Sequence, residues 1–182
     1  LLVGGIDHKL YALEPKTGKQ LWPKPFEGGN WFWAKPLVKG DATYVADLDG
    51  NVYGVNLKDG TPRWNKPFQT GDSVRAAPLF ADGTLVVVDR SGNAYGLKPE
   101  DGSRQWGPTL LGKTVLSDPF LLQATSASPS PAASESPAPS PGATGGAGAA
   151  EVLIVAQGGD ICRLDPVDGS PTGAALCAQV PL

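Results

Sequence analysis

The sequence contains no methionine, one histidine and two cysteines, and its 15 basic residues are outnumbered by 18 acidic ones. The formal net charge of −3 leaves no basic field that would neutralise phosphates, so we expect no nucleic-acid partner. No apolar run reaches the roughly 18 residues of a membrane-spanning helix, so we expect no direct membrane insertion by this segment. The chain starts within a strand pattern and without an initiator methionine, which indicates a mature or truncated piece. The lack of a signal peptide therefore does not argue against export.

Residue sets that carry catalysis are also lacking. The single histidine, His8, stands in the turn Asp7-His8-Lys9 and has no partner for a zinc site or a catalytic triad. The segment from Asp47 to Asn51 resembles a calcium loop only superficially, because its glycine is fourth instead of sixth and no glutamate follows at position twelve. Phosphate-binding loops, nucleophile elbows and His-Glu-x-x-His motifs are absent too. We therefore predict that this chain alone is not an enzyme and has no catalytic residue, metal or cofactor.

What the sequence does contain is a repeat with a period of 42 residues. Its 24 glycines and 18 prolines, set among runs rich in valine and leucine, indicate short strands separated by turns, with little or no helix. Three residue types recur in one register: Tyr11, Tyr53 and Tyr95, then Gly18, Gly60 and Gly102, and finally Trp22, Trp64 and Trp106. Such a shared register indicates copies of one structural unit.

Each copy contains four short strand-like runs joined by turn residues such as Asp-Gly and Gly-Asn pairs. A period of about 40 to 45 residues with four strands is typical of a propeller blade. We predict an all-β fold, a single partial β-propeller of four-stranded antiparallel blades over residues 1–182, with units at 1–27, 28–69, 70–111 and 112–182. The first unit lacks its innermost strand, so a closed four-bladed ring is barely feasible. We expect part of a larger propeller with about seven or eight blades.

The fourth unit is longer because it contains an insertion of low complexity. Residues 123–150 are almost all serine, proline, alanine, glycine and threonine, and we predict a disordered loop in place of a hairpin turn. The loop is either a tolerated surface insertion, since loop-closure entropy rises slowly with length, or a glycosylated or wall-spanning spacer.

The repeats resemble a known family. The segment from Leu10 to Trp22, with the letters LYALEPKTGKQLW, resembles the tryptophan-docking repeat of the PQQ-type β-propeller family, which includes quinoprotein-like and BamB-like proteins. Units two and three keep the glycine and the tryptophan, whereas the fourth has Gly173 in the tryptophan position. The resemblance implies that the tryptophans at the 42-residue spacing, together with Gly18, Gly60 and Gly102, have a structural docking role between blades. A large flat ring at each seam suits that role.

Two further sets of residues are candidates for specific roles. Trp31 and Trp33, expected on an innermost strand, either pack in the core or line the channel or top face as a binding surface. Arg75 is on an equivalent strand, where it points toward a polar channel and joins that surface. Cys162 falls in the tyrosine column and Cys177 in the following strand, so they form either a disulfide between neighbouring strands or two buried thiols.

The family resemblance also implies a function. The metal ligands and adjacent cysteine pair of the family's quinoprotein dehydrogenases cannot be placed in this sequence. We therefore expect a non-catalytic protein-interaction or scaffold module of the bacterial cell envelope, extracytoplasmic in a periplasmic, cell-surface or secreted form, with envelope or membrane proteins as partners. The alternatives are a fragment of a PQQ-dependent dehydrogenase whose active site lies in absent blades, and the extracellular sensor domain of a membrane-bound kinase or receptor.

Overall fold

The computed structural model describes residues 1–122, 150–173 and 175–179. Within these ranges the regular structure is β-strand, and no helix is present. The prediction of an all-β fold is therefore confirmed. The disordered loop predicted at 123–150 falls outside the described residues except for Ala150.

Four antiparallel sheets follow one another along the chain, and within each sheet the strands are adjacent in sequence order. The first sheet contains β1 (Leu2–Gly4), β2 (Lys9–Ala12) and β3 (Phe26–Glu27). The second contains β4 (Leu37–Lys39), β5 (Ala42–Ala46), β6 (Asn51–Asn56) and β7 (Phe68–Gln69). The third contains β8 (Leu79–Ala81), β9 (Thr84–Val88), β10 (Asn93–Leu97) and β11 (Arg104–Leu110). The fourth contains β12 (Phe120–Leu122), β13 (Glu151–Val155), β14 (Asp160–Leu164) and β15 (Cys177–Gln179).

Turn residues explain why the central strands of each sheet form hairpins. Gly50 and Gly92 both have a φ of 83°, a conformation that side chains disfavour, and they connect β5 to β6 and β9 to β10. His8 takes the equivalent position between β1 and β2 with a φ of 65°. The histidine is therefore a turn residue, as the sequence predicts.

The hydrophobic core lies between the sheets. Alternate residues of a strand face opposite sides of its sheet, so a single strand contributes to two contacts between sheets. In β5, Val45 packs with Leu10 and Trp22 of the first sheet, whereas Tyr44 packs with Leu85 of the third. Each sheet is thus a blade that buries its apolar residues against the blades before and after it.

The first strands of the sheets lie on the inner side of this array. β8 contacts both β4 and β12, so the second, third and fourth blades converge at these strands. The described part of the first blade has three strands, β1 to β3, and no counterpart of β4. These features are those of consecutive blades of a propeller, in agreement with the predicted fold class.

Candidate functional site

The tryptophans at the 42-residue spacing each reach across the contact between two blades, here called a seam. Trp22 Nε1 donates a hydrogen bond of 2.9 Å to the carbonyl of Leu57 in the second blade. Trp64 Nε1 donates to the carbonyl of Pro99 at 3.0 Å, and Trp106 Nε1 donates to that of Pro166 at 2.9 Å. All three side chains are buried. Their single polar group is therefore satisfied by the neighbouring blade, as a buried indole requires.

A glycine of the following blade lies beneath each indole ring. A Cβ atom added to Gly60 would lie 2.6 Å from the Trp22 ring, and one added to Gly102 would lie 2.5 Å from the Trp64 ring. Trp106 covers Gly169 in the same way. Gly18 has nearly the same φ as these glycines, but no described atom lies within 4 Å of its added Cβ. The sequence analysis missed Gly169 as a docking residue, although the Asp-Gly pair that it shares with Gly102 was the available signal.

Gly18 provides a matched control for the docking contact. We predict that Gly18→Ala costs about 1 kcal/mol of unfolding free energy because of its positive φ alone. Gly102→Ala should cost about 2 kcal/mol more, because its methyl group overlaps the Trp64 ring. Urea denaturation of the two variants and the parent protein measures both values. Equal losses in the two variants would contradict a docking role for Gly102.

A second set of contacts stabilises the first seam near the connection between the blades. It is formed by Asp47 and Tyr53 and is here called the Asp–Tyr lock. Asp47 is fully buried, and its Oδ2 accepts hydrogen bonds from the Gly29 N–H at 3.1 Å, the Asn30 N–H at 3.2 Å and the Tyr53 hydroxyl at 2.8 Å. Its Oδ1 accepts from the Asn51 N–H at 3.0 Å. Because Gly29 and Asn30 connect the first blade to the second, this carboxylate joins the connection to the second blade.

The second seam has Asp89 and Tyr95 at the equivalent positions, but here the tyrosine hydroxyl, and not the carboxylate, is hydrogen-bonded to the connection. Asp89 is also fully buried and accepts hydrogen bonds from the Asn93 N–H at 3.0 Å and from Asn93 Nδ2 at 2.8 Å. The Tyr95 hydroxyl accepts from the Gly71 N–H at 3.3 Å. Gly71 occupies the position of Gly29 in the next connection.

Both lock tyrosines are held in the protonated form. Burial, followed by the hydrogen bond to Asp47, raises the pKa of Tyr53 well above its ordinary value of 10.0. Burial, followed by the charge of Asp89, raises the pKa of Tyr95. The Tyr53 hydroxyl donates to Asp47 and so supplies one of the hydrogen bonds that a buried carboxylate needs. From the sequence, residues 47–51 were considered as a calcium loop and rejected as one, so the lock was not predicted.

The structure places the candidate binding surface outside any strand. Trp31, Trp33 and Arg75 were expected on innermost strands. The two tryptophans lie instead in the connection between β3 and β4, and Arg75 lies in that between β7 and β8. The backbone–backbone hydrogen bonds around Trp31 and Trp33 are isolated: the Phe32 N–H donates to the Gly5 carbonyl, and the Leu48 N–H donates to the Trp31 carbonyl. Without a continuous ladder the segment does not form a strand.

The alternation of side chains along this connection is nevertheless regular. Phe32 is buried in the first seam, whereas Trp31 and Trp33 are 41% and 63% exposed. The Arg75 guanidinium lies 6.0 Å from the centre of the Trp33 ring, within range of a cation–π contact. The structure thus brings Trp33 and exposed Arg75 of the next blade together on one surface.

Cys162 and Cys177 are joined by a disulfide in the fourth blade. They are directly paired residues of β14 and β15, with Cα atoms 3.9 Å apart and an S–S distance of 2.00 Å. Cys162 is fully buried, so the bridge connects the core of the third seam to the outermost strand of the blade.

The acidic and sulfur-containing side chains of the described residues are dispersed or engaged in structural contacts. In residues 1–122, 150–173 and 175–179, no three His, Cys, Asp or Glu side chains gather as a metal site would require. No helix in these ranges has the length and apolar character needed to cross a membrane. The carboxylates of Asp47 and Asp89 are occupied by the hydrogen bonds of the locks.

We predict that the buried Asp47 contributes more to stability than Asp59, which lies in an exposed turn. Asp47→Asn removes an acceptor oxygen and places an amide among several donors, so we expect a loss of about 3 kcal/mol of unfolding free energy. Asp59 also accepts hydrogen bonds from the Thr61 N–H and hydroxyl, but in an exposed turn. Asp59→Asn should therefore cost less than about 1 kcal/mol. Chemical denaturation measures both, and losses of equal size would contradict the role of the lock.

Comparison with known proteins agrees with this architecture. A family model described as "Outer membrane protein assembly factor BamB" matches residues 1–132. No curated protein matches the chain at a significant level.

Two solved structures are similar in fold. The crystal structure of BamB from Moraxella catarrhalis superposes with a TM-score of 0.68 at 18% identity, over 98% of this chain and 45% of that one. The computationally designed Ika8 protein superposes with a TM-score of 0.65 at 14% identity, over 94% of this chain and 44% of that one. The chain thus spans less than half the length of either structure.

Proposed function

From the premise that this chain belongs to the BamB family, whose model matches residues 1–132 of its 182, we propose that it is a non-catalytic scaffold that binds protein partners outside the cytoplasm. The observation that carries the proposal is the exposed pair of Trp33 and Arg75, which belong to consecutive blades. Three interlocked blade seams give such a surface a fixed geometry. Pre-organised surfaces of this kind lose little conformational entropy on binding.

The composition of the surface indicates the chemistry of the partner. Tryptophan and arginine are the residue types that most often dominate the binding energy of protein interfaces. Among the described acidic groups, none lies within 4.0 Å of a cationic nitrogen of Arg75, although five other cations of this chain form such ion pairs. We therefore propose that the partner presents an apolar or aromatic side chain to Trp33 and a carboxylate to Arg75.

The disulfide supports the proposed location. Structural disulfides persist in oxidising compartments and are rare in the cytoplasm. Cys162 and Cys177 are bridged between two neighbouring strands, as expected for a protein that folds outside the cytoplasm.

The proposed binding surface can be tested with a matched control. Trp33→Ala combined with Arg75→Ala should weaken the affinity for a partner recovered from the cell envelope by about tenfold or more. Leu21→Ala combined with Lys24→Ala changes another exposed apolar residue and another exposed cation, and should leave the affinity unchanged within about twofold. Titration calorimetry with the purified partner and the full-length protein measures both affinities. Equal affinities for both double variants would reject this surface, and dye-linked alcohol oxidation by the full-length protein with quinone and calcium would reject the scaffold function.

The proposed location gives a separate prediction. In intact cells treated with a membrane-permeant alkylating reagent, both cysteines should remain unmodified until a reductant is added, because the bridge forms in an oxidising compartment. Mass spectrometry of the isolated protein counts the alkyl groups. Two alkyl groups without reductant would contradict the extracytoplasmic location.

A further inference from the structure

The third seam has no Asp–Tyr lock. In the second and third blades the lock tyrosines are paired across the hairpin with Val45 and Val87, and Cys162 is paired with Ile154 in the same way. Cys162 therefore takes the place of the tyrosine, and Ala156 takes the place of the lock aspartate. Both partners differ together, since a buried carboxylate without its hydroxyl donor would be destabilising.

The disulfide occupies the space at this seam that the tyrosine fills elsewhere. Cys177 Sγ lies 3.6 Å from the carbonyl oxygen of Leu111, the first residue of the connection to the fourth blade. A disulfide sulfur has no proton to donate, so this is a packing contact. Cys162 packs in the same cluster as Leu111 and Val115, which flank Gly112, the counterpart of Gly29 and Gly71. The bridge thus contacts the connection at the level where the tyrosine hydroxyls bind it in the other seams.

The other contacts of the third seam do not depend on the bridge. Trp106 still docks on Gly169 and donates to Pro166. Lys113 Nζ forms an ion pair of 3.1 Å with Asp160 across the seam. Opening of the bridge therefore would leave the tryptophan docked, release β15 and remove one of the contacts that hold the connection, which keeps its ion pair and its backbone hydrogen bonds to both blades.

We propose that the Cys162–Cys177 disulfide is the lock of the third seam and that a dithiol reductant opens it, loosening this seam while the first two stay closed. One thiolate of the dithiol attacks Sγ of Cys177, which is partly exposed, whereas Cys162 is buried. The S–S bond breaks and Cys162 leaves as a thiolate. The second thiol then closes the disulfide of the reagent and releases Cys177, so two electrons and two protons pass to the cysteine pair.

Two properties of the fold make this a switch at a single seam. The first two locks consist of a carboxylate and a phenol, which a dithiol does not change, whereas the third consists of a bond that it cleaves. The inference concerns regulation and does not depend on the proposed scaffold function.

Hydrogen exchange of the unmodified protein tests the proposal directly. With dithiothreitol, amide exchange in residues 111–115 and 160–179 should accelerate about tenfold or more, whereas exchange in residues 10–53 should change by less than about twofold. Alkylation confirms that both thiols are free. If only β15 accelerates and residues 111–115 do not, the bridge holds a local strand and the proposal is wrong.

A variant that restores the lock of the other seams provides the second test. The triple variant Ala156→Asp, Cys162→Tyr and Cys177→Ala should be insensitive to dithiothreitol, with exchange in residues 111–115 within about threefold of the oxidised parent. The control, Cys162→Ala with Cys177→Ala, should exchange there as fast as the reduced parent. If the folded triple variant exchanges as fast as the control, the two locks are not equivalent and the proposal is wrong. Should the triple variant not fold, reduction of the unmodified protein decides the question alone.

Discussion

An indole ring resting on the glycine of the next blade is the contact on which this structure depends. A small twisted sheet has two apolar faces and no means of covering either by itself, so a blade is stable only against its neighbours. The ring supplies a large apolar area, and its single N–H is satisfied by a carbonyl of the neighbour. The glycine is required twice, for its positive φ and for the space that the ring occupies.

If two blades were joined only by the tryptophan contact, they could still rotate about it. The polar locks provide a second contact at another place in the seam. Asp47 joins the connection of the first seam to the second blade at a position distinct from that of the tryptophan. The carboxylate and the phenol depend on each other, because a buried charge needs donors and a buried hydroxyl needs an acceptor. Replacement of one without the other would leave a buried polar group unpaired. The fourth blade has neither residue: Ala156 and Cys162 stand at the two positions, and Cys162 is bridged to Cys177.

The repeat made the blades, their order and the three tryptophans predictable, because each copy carries the same local pattern and errors in one unit are corrected by the others. Trp31 and Trp33 show where this reasoning failed. Their alternation with Phe32 correctly predicts that the tryptophans and the phenylalanine face opposite sides of the segment. A strand also needs a continuous ladder of backbone hydrogen bonds to a neighbouring strand, and that depends on how the blades assemble. The burial of Asp47 could not be predicted from the sequence either, because its local sequence is that of an ordinary turn. Gly169 aligns with Gly102 once the insertion is allowed for, but its docking role was not predicted because its own blade has no tryptophan.

The contacts between tryptophan and glycine all run in the same direction along the chain. In a blade that has both residues, the tryptophan packs on the glycine of the following blade, and the glycine is covered by the tryptophan of the preceding blade. In the first blade, Trp22 packs on the second blade, but no described tryptophan covers Gly18. In the fourth blade, Gly169 is covered by Trp106, and Gly173 stands at the position of the tryptophan. In every described seam the earlier blade provides the ring and the later blade provides the glycine. A change to a tryptophan should therefore act on the seam that follows its own blade, and a change to a facing glycine on the seam that precedes it.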